Sequence, residues 1–527
     1  MTLAMALRDT VRRHGGKTAF QTVGKDARSY TYGEAYAQIA RVAGALRARG
    51  LVKGDRVAVI AENGIDLAFL DWACYALGLV VVPIYPTLPA ETTQYIVRDS
   101  GAKLVVVDSE KQGAKVDAAI LVTELVGGPM DLDAEPLPDP EDPCAIIYTS
   151  GTTGVPKGAV MPHRAFLSVA KAAAREIDVR DTDVFLSFLP MSHVYERVAG
   201  QVLPVFAGAT IVYSKGLAHL ATEMRECRPT VVLCIPRFLE SLRERILDKV
   251  KKDKPIKQFL FNAMLAQGAK RAKGGFAPFA GLLDKVVGTK IREAAGGRLR
   301  YFVSGGAALA PEVGEFYMAT GLTVLQGYGL TETSGGSVVN RPHNNKFWTV
   351  GEPLDVELKL ADDGEILMRG PGIMKGYHNL PEETAQAIDQ DGWFHTGDIG
   401  EFEGKNLKIT DRKKDLIVLG NGKNVAPQKI EGLLRTSPLI QEAVVLGDGM
   451  DACVALIVPA EGVTDEREIK KAIDGIKDRL APYEVVKRFA VIQEPFTQEN
   501  GMLTPTLKVK RKAVAERYRD VIAGLAR

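Results

Sequence analysis

Short apolar runs alternate along this chain with longer stretches of helical periodicity. The runs GDRVAVIA at 54–61, LVVV at 104–107, VVLC at 231–234 and YFVS at 301–304 have the length and content of buried strands, whereas 33–49 and 237–247 repeat apolar residues at helical spacing. Such alternation predicts a multidomain α/β fold with layered, largely parallel sheets. The most apolar stretch, 67–86, is broken by Asp71, Gly78 and Pro83, so it predicts a helix followed by a strand rather than a membrane span. After Gly351 the pattern shortens: VELKL at 356–360, an Asp-Asp-Gly turn at 362–364 and EILMR at 365–369 predict a β-rich subdomain over 345–410. The large N-terminal domain is expected to span 1–410, with the Pro-, Asp- and Glu-rich segment 127–143 as an exposed connector inside it. Beyond DRKK at 411–414, the expected hinge, residues 415–527 predict a small mobile α+β domain. Its expected elements are a strand at 416–419, a helix at 427–435, paired strands near 443–446 and 454–458, a helix at 464–480 and a terminal helix.

With 527 residues the chain is too long for one core. Its 67 Lys and Arg nearly balance 65 Asp and Glu, so nothing global points to nucleic acid. One stretch departs from the balance. Residues 241–300 hold fifteen basic against five acidic side chains, together with Phe259, Phe261, Phe276, Phe279 and several leucines. Two readings stay open: a solvated helical face over a buried stripe, or a surface that lies on an anionic bilayer. Five cysteines, at 74, 144, 227, 234 and 453, form neither CxxC pairs nor an even framework, as expected in a reducing compartment. The start, MTLAMALRDTVRRHGG, lacks the apolar core and cleavage site of a signal peptide and is compatible with an amphipathic helix. The chain is therefore expected in the cytoplasm, with peripheral contact to the inner face of a membrane left open, as is its oligomeric state.

Candidate chemistry begins at 148–158, YTSGTTGVPKG. Gly151 and Gly154 permit tight backbone approach, Thr149, Ser150, Thr152 and Thr153 offer hydroxyls, and Lys157 adds a point charge. Lys157 stands between Pro156 and Gly158, which excludes a Walker A loop, since that loop needs Gly before the lysine and Ser or Thr after it. An anion cradle and an ordinary polar turn between two strands both fit these residues.

Four further motifs follow in order: YGLTET at 328–333, GWFHTGD at 392–398, ITDRKKDLI at 409–417 and GNGKNVAPQKIE at 420–431. With the first loop, the set resembles the adenylate-forming superfamily of acyl-CoA synthetases, luciferases and peptide-synthetase adenylation domains over nearly the whole chain. SFLPMSHVYERV at 187–198 and LTPTLKVKR at 503–511 look most like its long-chain fatty acyl-CoA synthetase branch. The resemblance implies an AMP-forming acid–CoA ligase that uses ATP, Mg²⁺ and coenzyme A. Adenylate formers for shorter or aromatic acids, or for loading a carrier protein, are the chemical alternatives, and a catalytically silent nucleotide-binding protein is the remaining one.

Carried over by resemblance, Thr149, Ser150, Gly151, Thr152, Thr153, Gly154 and Lys157 hold the β and γ phosphates. Ser304, Gly305, Gly306, Ala307, Gln326, Gly327, Tyr328 and Gly329 line the adenine slot. Thr331 bonds the α-phosphate, Glu332 holds Mg²⁺, and Asp398 takes the ribose hydroxyls with help from Arg412. Lys508 is the catalytic lysine, with Lys510 as the alternative because Leu507 replaces the usual glycine. Lys414 is the pivot, and Gly420, Gly422 and Lys423 line a coenzyme A tunnel. His193 sits either at the mouth of the acyl pocket or as a packed histidine, and Glu196 with Arg197 reads as an internal ion pair.

Overall fold

The apolar runs pair with one another mainly in parallel, as a sequence of βαβ type requires. The computed structural model describes the chain except for residues 151–154, 273–274, 498, 504–508 and 527 and the side chains of Ser150 and Ala272. The chain divides into a larger unit, residues 1–307, 313–358 and 368–395, and a smaller one, residues 308–312, 359–367 and 396–527.

Two sheets build the larger unit. One has seven strands in the order Gly376–Tyr377, Pro156–Pro162, Pro143–Ser150, Val80–Ile84, Arg56–Ile60, Leu104–Val107 and Ile120–Leu121. Its last five strands are parallel and its first two pairings antiparallel. The other has nine strands, running parallel from Val324–Tyr328 through Tyr301–Ser304, Val231–Cys234, Val184–Ser187 and Thr210–Tyr213 to Thr18–Thr22, with antiparallel strands at both edges. Helix Ile65–Leu77 is buried on every side, with Asp66 its one residue outside the core, which explains why 67–86 is so apolar without spanning a membrane. Gly78, at φ 66°, ends it in the left-handed conformation that glycine adopts without penalty. The N-terminal helix, Leu3–His14, is amphipathic as expected and buries Leu3, Ala4, Ala6, Leu7 and Thr10.

Strands also form where the β-rich region is expected: Glu357–Leu360, Glu365–Arg369, Phe394–Glu403 and Asn406–Arg412. In the smaller unit a three-stranded sheet, Ile440–Leu446, Cys453–Pro459 and Val486–Val491, is covered on both faces. Ala443, Val445, Cys453, Ala455 and Ile457 face helices Pro427–Leu434 and Glu466–Asp474; Val444, Leu446, Val454, Leu456 and Val458 face the C-terminal helices. Covering both faces makes the strands read as continuous apolar runs. The helix expected over 464–480 is shorter: it stops at Asp474, and Lys477–Arg479 forms a separate 3₁₀ turn.

The core of the larger unit contains charge. Glu196 and Arg197 do not pair with each other, because consecutive helical residues point to different sides. Arg197 Nη1 donates to Asp71 Oδ2 at 2.7 Å and to Tyr75 Oη at 2.8 Å. Glu196 Oε1 accepts from Ser187 Oγ at 2.6 Å and from Gln201 Nε2 at 3.1 Å, and Tyr213 Oη donates to Gln201 Oε1 at 2.7 Å. The segment Glu196–Val202 is a π-helix, and an added Cβ at Gly200 would lie 2.3 Å from Glu196 Oε1, so the carboxylate occupies the space a side chain there would need. Burial pushes the Asp71 carboxyl up against the pull of Arg197. Burial also pushes Glu196 up to about 7, although its bonds to Ser187 and Gln201 oppose the shift.

A carboxyl whose pKa is higher folded than unfolded stabilises the fold below its unfolded pKa and loses that contribution as pH rises through the folded value. For Glu196 the window runs from 4.5 to about 7, and the loss is on the order of 3 kcal/mol. Glu196→Gln removes this dependence. Denaturation midpoints at pH 5 and pH 8 should shift in favour of the variant at the higher pH; parallel profiles for the two proteins would contradict a raised Glu196 pKa.

Candidate functional site

The loop 148–158 is the turn of an antiparallel hairpin. Tyr148 pairs with Gly158, Thr149 with Lys157 and Ser150 with Pro156. Gly151, Thr152, Thr153 and Gly154 lie outside the described residues. A Cβ on Gly158 would lie 2.7 Å from Ile146 Cγ2 and 3.0 Å from Tyr148 Cζ, so this glycine makes room for the tyrosine ring rather than for a turn. Tyr148 Oη donates to Asp99 Oδ2 at 2.5 Å. On the other side of Pro156–Pro162, Tyr377 pairs with Ala159 and Gly376 with Val160. Lys157 Nζ lies 5.6 Å from the centroid of the Tyr377 ring, and Tyr377 Oη donates to Glu332 Oε1 at 2.7 Å. Tyr377 was not singled out in the sequence: one tyrosine after a glycine carries no pattern.

The residues expected around adenine sit where parallel strands end, the usual position of a ligand crevice in such sheets. Ser304 and Gln326 are side by side on neighbouring strands. Ser304 Oγ is buried and finds no partner among the described residues. Gly305 is buried, and its N–H donates to the Cys234 carbonyl at 3.1 Å, while Gly306 and Ala307 are exposed. The buried Gln326 amide donates to the Phe347 carbonyl at 2.7 Å, which turns the side chain toward the 347–349 loop. Gly327 and Tyr328 pair with Val339 and Val338. A Cβ on Gly329 would lie 2.6 Å from the Gly336 nitrogen, so the chain doubles back closely here. Thr331–Thr333 forms a 3₁₀ turn in which Thr331 and Glu332 are half-buried and Thr333 is buried.

His193 lies just before the π-helix. Its Nδ1 accepts from the Tyr195 N–H at 3.1 Å, and its carbonyl accepts from the Arg197 N–H at 3.0 Å. Tyr195 in turn donates through Oη to the Val303 carbonyl at 2.8 Å, and its ring lies under Gly305.

In the smaller unit Asp398 and Arg412 face each other across an antiparallel pair, with Nε 3.3 Å from Oδ1. Asp398 is buried and Arg412 half-buried. Burial pushes neighbouring Asp411 up to about 6. Lys413 Nζ reaches Asp363 at 2.6 Å and Glu365 at 3.0 Å, whereas Lys414 is exposed. Gly420, Gly422 and Lys423 are exposed around the small hairpin of Ile417–Val418 and Asn424–Val425, where Lys423 Nζ lies 5.9 Å from the Tyr483 ring. Lys508 lies outside the described residues. Lys510 is exposed, and Arg511 is held by two bonds to the Glu431 carboxylate, of 2.6 and 3.1 Å, and one to the Val445 carbonyl.

The basic segment exposes several large apolar side chains. Phe261 and Met264 are buried, but Ile256, Phe259, Phe276, Phe279 and Leu282 are each more than 60% exposed. Among the described residues no helix is long and apolar enough to cross a membrane.

Comparison with known proteins extends over the same ground. Residues 7–378 match the AMP-binding enzyme family and residues 414–526 the AMP-binding enzyme C-terminal domain. The long-chain-fatty-acid–CoA ligase FadD15 of Mycobacterium bovis is 34% identical, over 94% of this chain and 92% of its own. The peroxisomal long chain acyl-CoA synthetase 7 of Arabidopsis thaliana is 31% identical, over 94% of this chain and 82% of its own. The crystal structure of ATP-bound MatB from Rhodopseudomonas palustris superposes with a TM-score of 0.79 at 26% identity, covering 99% of this chain and all of that one.

Proposed function

The chain belongs to the AMP-binding enzyme family, and on that premise we propose that it is an ATP-dependent long-chain fatty acid–CoA ligase. A fatty carboxylate attacks the α-phosphate of ATP, releasing pyrophosphate and leaving acyl-AMP; the thiol of coenzyme A then displaces AMP. What carries this reading is the match through both units to relatives named for long-chain fatty acids. The carrier-protein, shorter-acid and silent readings have no comparable support.

The first step requires little covalent help from the protein and much charge control on the phosphates. Lys157 and the hydroxyls of Thr149, Ser150, Thr152 and Thr153, with the backbone of Gly151 and Gly154, take that role. Ser304, Gly305, Gly306 and Ala307 with Gln326, Gly327, Tyr328 and Gly329 hold the adenine. Thr331 bonds the α-phosphate, and the paired Asp398 and Arg412 hold the ribose. Among the described residues no group of three or more His, Cys, Asp or Glu forms a metal cage. One carboxylate, Glu332, completed by phosphate oxygens is the donor set Mg²⁺ ordinarily accepts, so the residues fit that ion. When bound, Mg²⁺ supplies neutralisation of phosphate charge. Lys508 stabilises the charge that gathers as the carboxylate attacks. Lys414 is the pivot on which the small domain reorients for thioester formation, Gly420, Gly422 and Lys423 then line the coenzyme A path, and His193 marks the mouth of the acyl pocket. The exposed apolar and basic surface of 241–300 meets an anionic bilayer on its cytoplasmic face, where the lipid substrate resides.

With purified protein, ATP and palmitate, pyrophosphate release should require Mg²⁺, and thioester should form only after coenzyme A is added. No pyrophosphate with any acid from acetate to oleate rejects the reading. Lys508→Ala should lower adenylation more than about 10²-fold yet spare thioester formation from supplied acyl-AMP; equal loss in both half-reactions assigns the lysine a different role. On vesicles of phosphatidylcholine with phosphatidylglycerol, the native chain should co-sediment in low salt, and Phe276→Ser with Phe279→Ser should weaken this roughly tenfold or more. Unchanged sedimentation of the double variant removes this surface from the proposal.

A further inference from the structure

The Tyr377 side chain meets both Lys157 and Glu332, the two charged residues assigned to the triphosphate end of the site. The short strand Gly376–Tyr377 is fastened to the strand that carries Lys157 by the Lys375 N–H to the Val160 carbonyl at 2.9 Å and by the His378 N–H to the Gly158 carbonyl at 2.7 Å. From behind, the Tyr377 N–H donates to Thr384 Oγ1 at 2.9 Å. The same segment is tied to the 3₁₀ turn, where the Met374 N–H donates to the Glu332 carbonyl at 2.8 Å. The ring therefore has a fixed position between two elements distant in sequence. Its face lies near the Lys157 ammonium and its hydroxyl is bonded to the Glu332 carboxylate.

A free lysine and a free glutamate this close to a common side chain would tend to pair directly, and each would then be neutralised against the other rather than against a ligand. An aromatic ring attracts a cation through its face, and a phenol donates a hydrogen bond to a carboxylate through its edge. Tyrosine does both at once. We propose that Tyr377 is a positioning residue that holds Lys157 and Glu332 apart, leaving the ammonium for phosphate oxygens and the carboxylate for the accompanying divalent cation. This inference rests on the adenylation reading and adds to it a residue that touches neither metal nor reacting atoms.

Tyr377→Phe keeps the ring beside Lys157 and removes only the bond to Glu332. A hydrogen bond to a charged group is worth enough to change a binding constant about tenfold or more. Calorimetric titration of a nonhydrolysable ATP analogue across a Mg²⁺ series should show the Mg²⁺ needed for half-maximal affinity rising roughly tenfold in the variant, with affinity in the absence of Mg²⁺ nearly unchanged. Adenylation should fall in limiting Mg²⁺ and recover in excess, while thioester formation from supplied acyl-AMP and the melting temperature stay at native values. Tyr377→Leu, which also removes the ring, should weaken analogue binding without Mg²⁺ as well. A Phe variant with the native Mg²⁺ dependence overturns the proposal. So does equal loss of both half-reactions together with a lowered melting temperature, which would make Tyr377 a packing residue. Native protein that releases no pyrophosphate overturns the adenylation reading itself, and that failure is distinguishable because it needs no variant.

Discussion

The strand Pro156–Pro162 is paired on both edges, and the placement of Lys157 depends on that. Pro143–Ser150 fixes its register from one side and Gly376–Tyr377 from the other, so Lys157 cannot slide along the strand axis without breaking two ladders. In a strand, a slip of one residue turns every side chain to the opposite face, so double pairing is a strong constraint on where an ammonium group points. The segment 374–378, bonded to this strand through Lys375 and His378, is bonded to the turn of Glu332 through Met374 and Tyr377. If the hairpin holds phosphate as proposed, the site takes its precision from backbone ladders, and the flexible lysine only has to complete it.

The charge in the core follows a different rule. Removing ions from water is expensive, so Asp71 and Arg197 persist there only as a hydrogen-bonded pair with Tyr75, and burial raises the pKa of the Glu196 carboxyl. This cluster ties helix Ile65–Leu77, the π-helix and strands Val184–Ser187 and Thr210–Tyr213 into one body. Tyr195, immediately before the π-helix, reaches the Val303 carbonyl and lies beneath Gly305. The loop that would hold adenine thus rests on an element whose shape is set by buried polar groups.

Much of this was readable from residue order. The parallel strands announced themselves as unbroken apolar runs because both of their faces are covered, and Asp398 with Arg412 was found through motifs whose spacing survives as an antiparallel pair. Other features were not readable, for physical reasons. Val486–Val491 carries Lys487 and Arg488, and its partly exposed edge position hides its pattern. The π-helix depends on Glu196 lying over Gly200, a contact that helical periodicity does not encode. Glu196 and Arg197 looked like partners because they are neighbours in sequence, yet the partner of Arg197 is 126 positions away. Tyr377 is brought to Lys157 and Glu332 by strand pairing, which a lone tyrosine after a glycine does not reveal.

The packing of Gly158 under Tyr148 reaches further than the hairpin. A methyl group at 158 would have to displace the tyrosine ring, and the ring's hydroxyl is bonded to Asp99, whose own carbonyl lies 3.1 Å from His378 Nε2. Positions 99, 148, 158 and 378 are therefore not independent variables. Substitutions among them combine non-additively, as residues that share partners do. Any redesign of the 143–162 hairpin has to treat the four as a single unit of change, and a replacement tolerated at one of them says little about its tolerance once another has been altered.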